Sequence, residues 1–373
     1  VSGRSAGRRQ EEYVHMLGVS PAHILGRPAE PVYGEEATRL VAGRRVLVTG
    51  AGGSIGGEIV RQLSRLGVGE LFFVDNDEYA LYSLQRELSG TALLDDSHFV
   101  LADVADEAKL NRVFAWARPS IVYHAAAHKH LPLLENSPEA AVRTNVLGTA
   151  VVLQASIAHG VERFINISTD KAARPTSVLG MSKRLAEMVV ADRAGSANPG
   201  TTVASVRFGN VLGSRGSFVE TLSWQLATGR PVTLTHPAAS RYFMTIPEAA
   251  GLVIEASVLA QAGETYVLDM GEPVRILDLI QRFAALSGAP EPRIVVTGLR
   301  PGEKLHEELF DPSEAQRPTA HPRIREVDVA ENGAASWPAI RSLCARAATA
   351  HPDEVRRAMA ELLAGADLAV LAS

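Results

Sequence analysis

The chain has 373 residues, 46% of them hydrophobic and 21% charged: enough apolar material for a real core, and too balanced for wholesale disorder. Its formal net charge of −5 does not suit a general nucleic-acid binder, though it leaves room for local phosphate-binding pockets. The single cysteine, Cys344, excludes an intrachain disulfide framework and a cysteine-rich metal site.

Residues 1–40 read as an N-terminal extension. They hold a polar start, a short helical pattern in YVHMLGV (13–19), and SPAHILGRPAEPVYG (20–34), whose prolines and glycines suit an extended strap over the next domain. No membrane-spanning run and no signal pattern is visible, so the expected setting is cytoplasmic with no transmembrane segment. From Arg45 the pattern is regular. RVLVT (45–49), LFFV (71–74), HFVL (98–101), IVY (121–123), FINI (164–167) and VASVR (203–207) are short apolar strands, separated by helix-length segments at 78–89, 106–117, 138–159 and 178–193. Buried strands alternating with helices predict an α/β fold, a Rossmann-like doubly wound parallel sheet covered on both faces. Beyond about residue 210, VTL (232–234), ETYVLDM (264–270) and IVVTG (294–298) mix with helical stretches at 217–228, 247–260 and 275–287. They predict a smaller mixed C-terminal domain. The resulting division is an extension (1–40), a Rossmann domain (41–210), a mainly substrate-binding subdomain (211–325) and a helical tail (326–373).

Three stretches carry chemistry. In VLVTGAGGSIGGEI, Gly50, Gly53 and Gly56 lie between strand and helix, with Ser54 and Ile55 at the helix start. A side-chain-free turn there lets the backbone and the helix N-terminus approach a pyrophosphate. Asp75, 19 residues past Gly56, stands where a ribose hydroxyl acceptor is expected, and its charge favours NAD over NADP. Asp103 after the third strand suits an adenine amine, with Val104 packing on the ring; equally, Asp103 could cap the helix near Glu107. In HAAAHKH (124–130), small alanines such as Ala125 let the chain pass close to a cofactor, and nothing nearby completes a zinc set with the three histidines. Ser168, Thr169, Asp170 and Lys171 follow FINI on the ligand-binding edge, and Lys183 lies 13 residues past Asp170 on the next helix, where it can reach nicotinamide ribose hydroxyls.

With these residues in view the chain resembles the extended short-chain dehydrogenase/reductases, and among them the soluble catalytic part of the large UDP-N-acetylglucosamine 4,6-dehydratases. The resemblance rests on VLVTGAGGSIGGEIVRQL (46–63), HAAAHKHLPLLENSPEAAVRTNVLGT (124–149), STDKAARPTSVLGMSKRLAE (168–187), RFGNVLGSRGSF (207–218), THPAASRYFMTIPEA (235–249) and TGLRPGEKLHEELF (297–310). It implies NAD as catalytic cofactor, a nucleotide-diphosphate sugar as substrate and a homodimer formed through helices such as 138–159 and 178–193. It further implies Lys171 as C5 base, Asp170 as C6 acid, Thr169 on O4 and Lys183 on the ribose. For the substrate it implies Asn210 near the pyrophosphate or sugar, Arg241 and Arg300 on the diphosphate, Glu303 on a ribose hydroxyl, and His128 and Lys129 along the approach. Two departures stand out. Ser177 replaces the usual Asn, and the Tyr-x-x-x-Lys pair is Leu179 followed by Lys183, so a water chain from Thr169 is the expected route for the O4 proton. Related alternatives are a nucleotide-sugar epimerase or 5,6-dehydratase; of another class, a catalytically silent NAD-binding scaffold.

Overall fold

The computed structural model describes residues 18–27, 32–91, 93–195, 200–261, 263–328 and 336–365. The helix expected in 13–19 lies almost wholly outside them. Six strands form the parallel heart of the molecule: β1 (Arg45–Thr49), β2 (Glu70–Asp75), β3 (Phe99–Leu101), β4 (Ile121–His124), β5 (Arg163–Ile167) and β6 (Thr202–Arg207). Their spatial order is β3-β2-β1-β4-β5-β6, the doubly wound arrangement expected from the strand–helix alternation. Alternate residues of each strand enter two separate cores. Leu47, Phe72, Val122 and Phe164 face the helices Glu107–Ala117, Pro138–Ala158 and Val178–Gly195, while Val46, Val48, Phe73 and Ile165 face Glu35–Val41, Ser54–Arg65 and Ile246–Leu259.

The later strands divide between the large sheet and three small ones. β7 (Asn210–Leu212) pairs with β10 (Phe243–Thr245), β8 (Val232–Leu234) with β13 (Ile294–Val296), and β9 (Ser240–Arg241) with β12 (Val274–Arg275). The strand expected at 264–270 is β11 (Thr265–Leu268), and it lies in the large sheet, parallel to β6. All four of its residues are buried, so it needs cover on both faces, which only the large sheet offers. β14 (Gln316–Pro318) and β15 (Ile324–Val327) extend this edge antiparallel.

The expectation for the N-terminal end changes, and the helical tail finds its place. The strap at 20–34 contains a helix, Pro21–Leu25, capped by Ser20, whose Ile24 sits in the small-domain core with Leu212, Leu279 and Phe283. Arg27 then ties the segment to the carbonyls of Phe243 and Met270, so it fastens to the later part of the chain. At the other end, helices Trp337–Ala347 and Pro352–Leu363 bury Leu343, Val355 and Met359 in one core with Val146, Leu185 and Met188. They therefore cover the helices through which a dimer is expected. Pro138–Ala158 is long and apolar enough to cross a membrane, but 67% of its most apolar stretch is buried inside the protein as a core element.

Candidate active site

A cleft of about 900 Å³ opens where the parallel strands end and the small sheets begin. Its lining brings together Gly53, Ser54, Ile55, Gly56, Ala125, His128, Lys129, Thr169, Lys171, Lys183, Asn210, Arg241, Arg300 and Glu303, residues scattered over 250 positions of sequence. Asp170 lies directly beneath, fully buried.

The glycine loop is built by close approach. Gly50 has φ +64°, and a Cβ there would stand 2.6 Å from the Ala126 nitrogen; one on Gly56 would stand 2.1 Å from the Gly50 oxygen. Asp75 ties this loop to the end of β2, its two oxygens accepting from the N–H groups of Gly52 (2.8 Å) and Asp77 (3.0 Å). Asp103 accepts from Ala105 and from Arg143 at 2.7 Å, whereas the cap of helix Glu107–Ala117 is Asp106, so the capping alternative for Asp103 does not hold. Val104 is turned into the core against Gly148, and neither Asp103 nor Val104 lines the cleft. His124 is a satisfied core histidine. It contacts the hydroxyls of Thr49 (2.7 Å) and Thr149 (3.0 Å), and burial, reinforced by Lys183, pushes it down to about 3, leaving it neutral.

The strand-end turn brings a hydroxyl, a carboxylate and an ammonium within hydrogen-bond reach of one another. Thr169 caps a 3₁₀ turn, Asp170–Ala172. Its hydroxyl donates to Asp170 Oδ1 at 2.9 Å, and Lys171 Nζ donates to the same oxygen at 3.0 Å. Asn210 Oδ1 lies 3.5 Å from that ammonium. Burial opposes the charge on Lys171, but Asp170 and then Glu307 outweigh it and hold the ammonium above its ordinary value. The turn is seated against Gly180, where a Cβ would stand 2.5 Å from the Lys171 carbonyl. Ser177 Oγ accepts from the Gly180 N–H at 3.1 Å, as an N-cap side chain does. Leu179 walls the cleft as an apolar side chain. Lys183 is 5% exposed and makes no ion pair among the described residues; burial, against the pull of Glu187, pushes it down to about 8.

On the opposite wall Arg241 is held by Glu303 (2.9 Å) and by the carbonyls of Ser240 and Leu305, while Arg300 stays exposed. Glu303 also accepts from Thr235 at 3.0 Å. Three participants escape sequence reasoning. Asn145 sits in a π-helical turn, Val142–Leu147, and clamps His128 by its N–H (2.8 Å) and carbonyl (3.0 Å) while donating to Ser182. Gly209 leaves room for Asp170 Oδ2, 2.9 Å from where its Cβ would stand. Glu307 joins Lys171 to Arg241. Only the π-turn belongs to a recognisable class of functional irregularity, and it has no sequence signature.

Residues 46–329 match the family described as polysaccharide biosynthesis protein. The chain is 43% identical over 328 residues to the probable polysaccharide biosynthesis protein EpsC of Bacillus subtilis, covering 86% of this chain and 54% of the relative. It is 45% identical over 319 residues to the capsular polysaccharide biosynthesis protein CapD of Staphylococcus aureus, covering 84% and 53%. It thus spans about half the length of these curated relatives. Among solved structures, Pen from Bacillus thuringiensis superposes with a TM-score of 0.70 at 30% identity, over 77% of this chain and 88% of that one.

Proposed function

The chain belongs to the polysaccharide biosynthesis protein family, extended short-chain dehydrogenase/reductases that act on nucleotide sugars, and on that premise we propose that it is an NAD-dependent UDP-N-acetylglucosamine 4,6-dehydratase. The observation that carries this reading is the chain of hydrogen bonds from Thr169 Oγ1 and Lys171 Nζ to one oxygen of buried Asp170. A C4 epimerase removes and returns hydride at one carbon and needs no second acid–base pair. Elimination across C5 and C6 needs both partners side by side.

The residues present fit NAD. Gly50 and Gly56 leave a cradle that any Cβ would fill, the N-terminus of helix Ser54–Arg65 faces it, and Lys183 offers an ammonium with no carboxylate partner to ribose hydroxyls. Asp75 has lone pairs left for the adenosine ribose. Held there, NAD would supply the hydride acceptor for C4 and the hydride donor for C6.

The protein's own groups then carry the protons. Thr169 Oγ1 takes the O4 proton while passing its own along the bond it already makes to Asp170 Oδ1, so this contact takes the place of the expected water chain. Asp170 reaches the elimination step protonated and releases the C6 hydroxyl as water. Lys171, after its ammonium has released a proton to water in the cleft, removes the C5 proton as free amine and returns it to C5 as hydride arrives at C6. The proton lost from O4 leaves in the water, Asp170 ends as carboxylate, and Lys171 takes its proton back from solvent, so the residues are restored. Protonating Asp170 also removes the charge that chiefly holds Lys171 as ammonium. Leu179 contributes no proton and keeps this side of the cleft dry. Arg241 and Arg300 face the diphosphate, with Asn210 beside it; Glu303 takes a ribose hydroxyl, and His128 and Lys129 border the approach.

The test is incubation with UDP-, dTDP-, GDP- and CDP-sugars, read by mass. The parent should remove water from UDP-N-acetylglucosamine, and Lys171→Ala should still reduce bound NAD yet lose about 10²–10⁴ in dehydration rate. A C4 epimer formed without water loss would replace this reading by an epimerase. No reduction with any sugar would leave a silent scaffold.

A further inference from the structure

Glu307 has no part in the scheme above, yet it approaches Lys171, a residue of the cleft lining, from the later part of the chain. Its side chain is 4% exposed. Oε1 lies 3.5 Å from Lys171 Nζ and 3.7 Å from Arg241 Nε, and Oε2 is buried with no hydrogen-bond partner. Arg241 does not depend on this contact, since Glu303 and two carbonyls already fix its guanidinium. Lys171 does. The groups facing its ammonium are Asp170 from its own turn, Asn210 from β7, and Glu307 with Arg241 behind it from the later part of the chain. A carboxylate buried only for structure has its lone pairs filled, because an unfilled one is expensive. Glu307 leaves one oxygen empty beside a catalytic amine.

We propose that Glu307 is a positioning residue that holds Lys171 Nζ from beside the cleft and governs when that amine is free to act as the C5 base. The inference rests on the reading of Lys171 as base. Before oxidation Asp170 and Glu307 both favour the ammonium. Once Asp170 is protonated, Glu307 is the remaining anion against Lys171, with Arg241 weakening it. Glu307 thus keeps the lysine anchored without trapping its proton. A neutral side chain there lowers the affinity of Lys171 for its proton, so the amine discharges at lower pH. The shift expected from one partly shared carboxylate is about one pH unit, the low end for a neighbouring opposite charge.

The experiment uses the NAD-loaded full chain and two readouts. Competitive acetylation of Lys171 with acetic anhydride across pH, quantified by peptide mass, titrates the amine without turnover. The pH dependence of kcat with UDP-N-acetylglucosamine titrates the working base. In Glu307→Gln both the labelling midpoint and the acidic limb of kcat should move down by about one unit. Glu307→Asp, which retracts the charge by one methylene, should move both by less in the same direction, and it stands in if the Gln protein fails to fold. A Lys171 labelling curve that superimposes on the parent's overturns the role of Glu307, whatever happens to the rate. A shifted labelling curve with an unmoved acidic limb overturns instead the assignment of Lys171 as base.

Discussion

Two buried charge clusters flank the strand-end turn, and they are finished to different degrees. Behind it, Glu187 and Glu314 enclose Arg207. Glu187 accepts from Ser168 (2.5 Å) and twice from Arg207 (2.7 Å each), while Glu314 accepts from Arg207 (2.8 Å twice), Arg184 (2.7 Å) and the Asp311 N–H (3.0 Å). Every carboxylate oxygen has a donor. In front, Asp170, Lys171, Glu307 and Arg241 again set two carboxylates against cations, but Asp170 Oδ2 and Glu307 Oε2 have no donor among the described residues. The closed cluster ties helix Val178–Gly195, β6 and the 311–314 turn together and has no capacity left. The open one leaves two carboxylate oxygens unfilled. Saturation of the lone pairs, more than charge or burial, is what would separate the charges that hold the fold from those proposed above to act in the reaction.

The largest expected effect falls on the closed cluster. Arg207→Met leaves two buried carboxylates facing each other with only Arg184 between them, and removing one partner from a buried pair costs about 3–5 kcal/mol. Denaturant unfolding of the NAD-loaded protein should show a midpoint shift of that size with the slope unchanged. An Arg207→Met protein as stable as the parent would deny the cluster its structural role.

Lys183, on the helix that carries Glu187 and lining the cleft, sharpens the contrast, being buried like the first cluster yet without an ion pair among the described residues. Burial holds its folded value at about 8, against roughly 10.4 in the unfolded chain. Between these values the unfolded state binds more protons, so stability rises with pH from 8 to about 10.4, and below 8 the full penalty, about 3 kcal/mol, is present. Cofactor-free Lys183→Met should therefore be more stable than the parent at pH 7 and should lose this alkaline rise, while retaining less NAD after gel filtration. An unchanged pH profile would mean that water already solvates the ammonium in the free protein.

How far this was legible in the sequence follows from what each signal encodes. Six strands and the helices between them are visible because short apolar runs and amphipathic periods are local properties. ETYVLDM reads as a strand, yet no local pattern says that it belongs beside β6. Ser168 to Lys171 are marked by four polar residues after a buried strand. Asp103 misleads as a cap because Asp106, three residues on, is equally able, and only the start of the helix decides between them. Asn145 is hidden in an apolar helix whose π-turn leaves no periodic trace. Glu307 and Glu308 are neighbours of one type; three dimensions turn the first toward Lys171 and the second toward Arg174 at the surface.

The smallest effect decides whether the open cluster is correctly named. Asp170→Asn keeps the shape of the side chain and an Oδ1 able to accept from Thr169. Lys171 loses its nearest anion, but Glu307 stays within 3.5 Å and 18% of the lysine side chain already faces the cleft, so the ammonium can be solvated or discharged. The new amide nitrogen enters the place of Oδ2 under Gly209, an oxygen with no hydrogen-bond partner among the described residues, and a donor left unfilled there costs about 1–2 kcal/mol. That is less than half the upper expectation for Arg207→Met, although both residues are fully buried ions. Dehydration should nevertheless fail, because an amide cannot carry the O4 proton to the C6 hydroxyl. Paired unfolding curves and single-turnover assays on the two variants measure both quantities. If Asp170→Asn unfolds as readily as Arg207→Met, its carboxylate is holding the fold, and an empty oxygen no longer marks the working cluster.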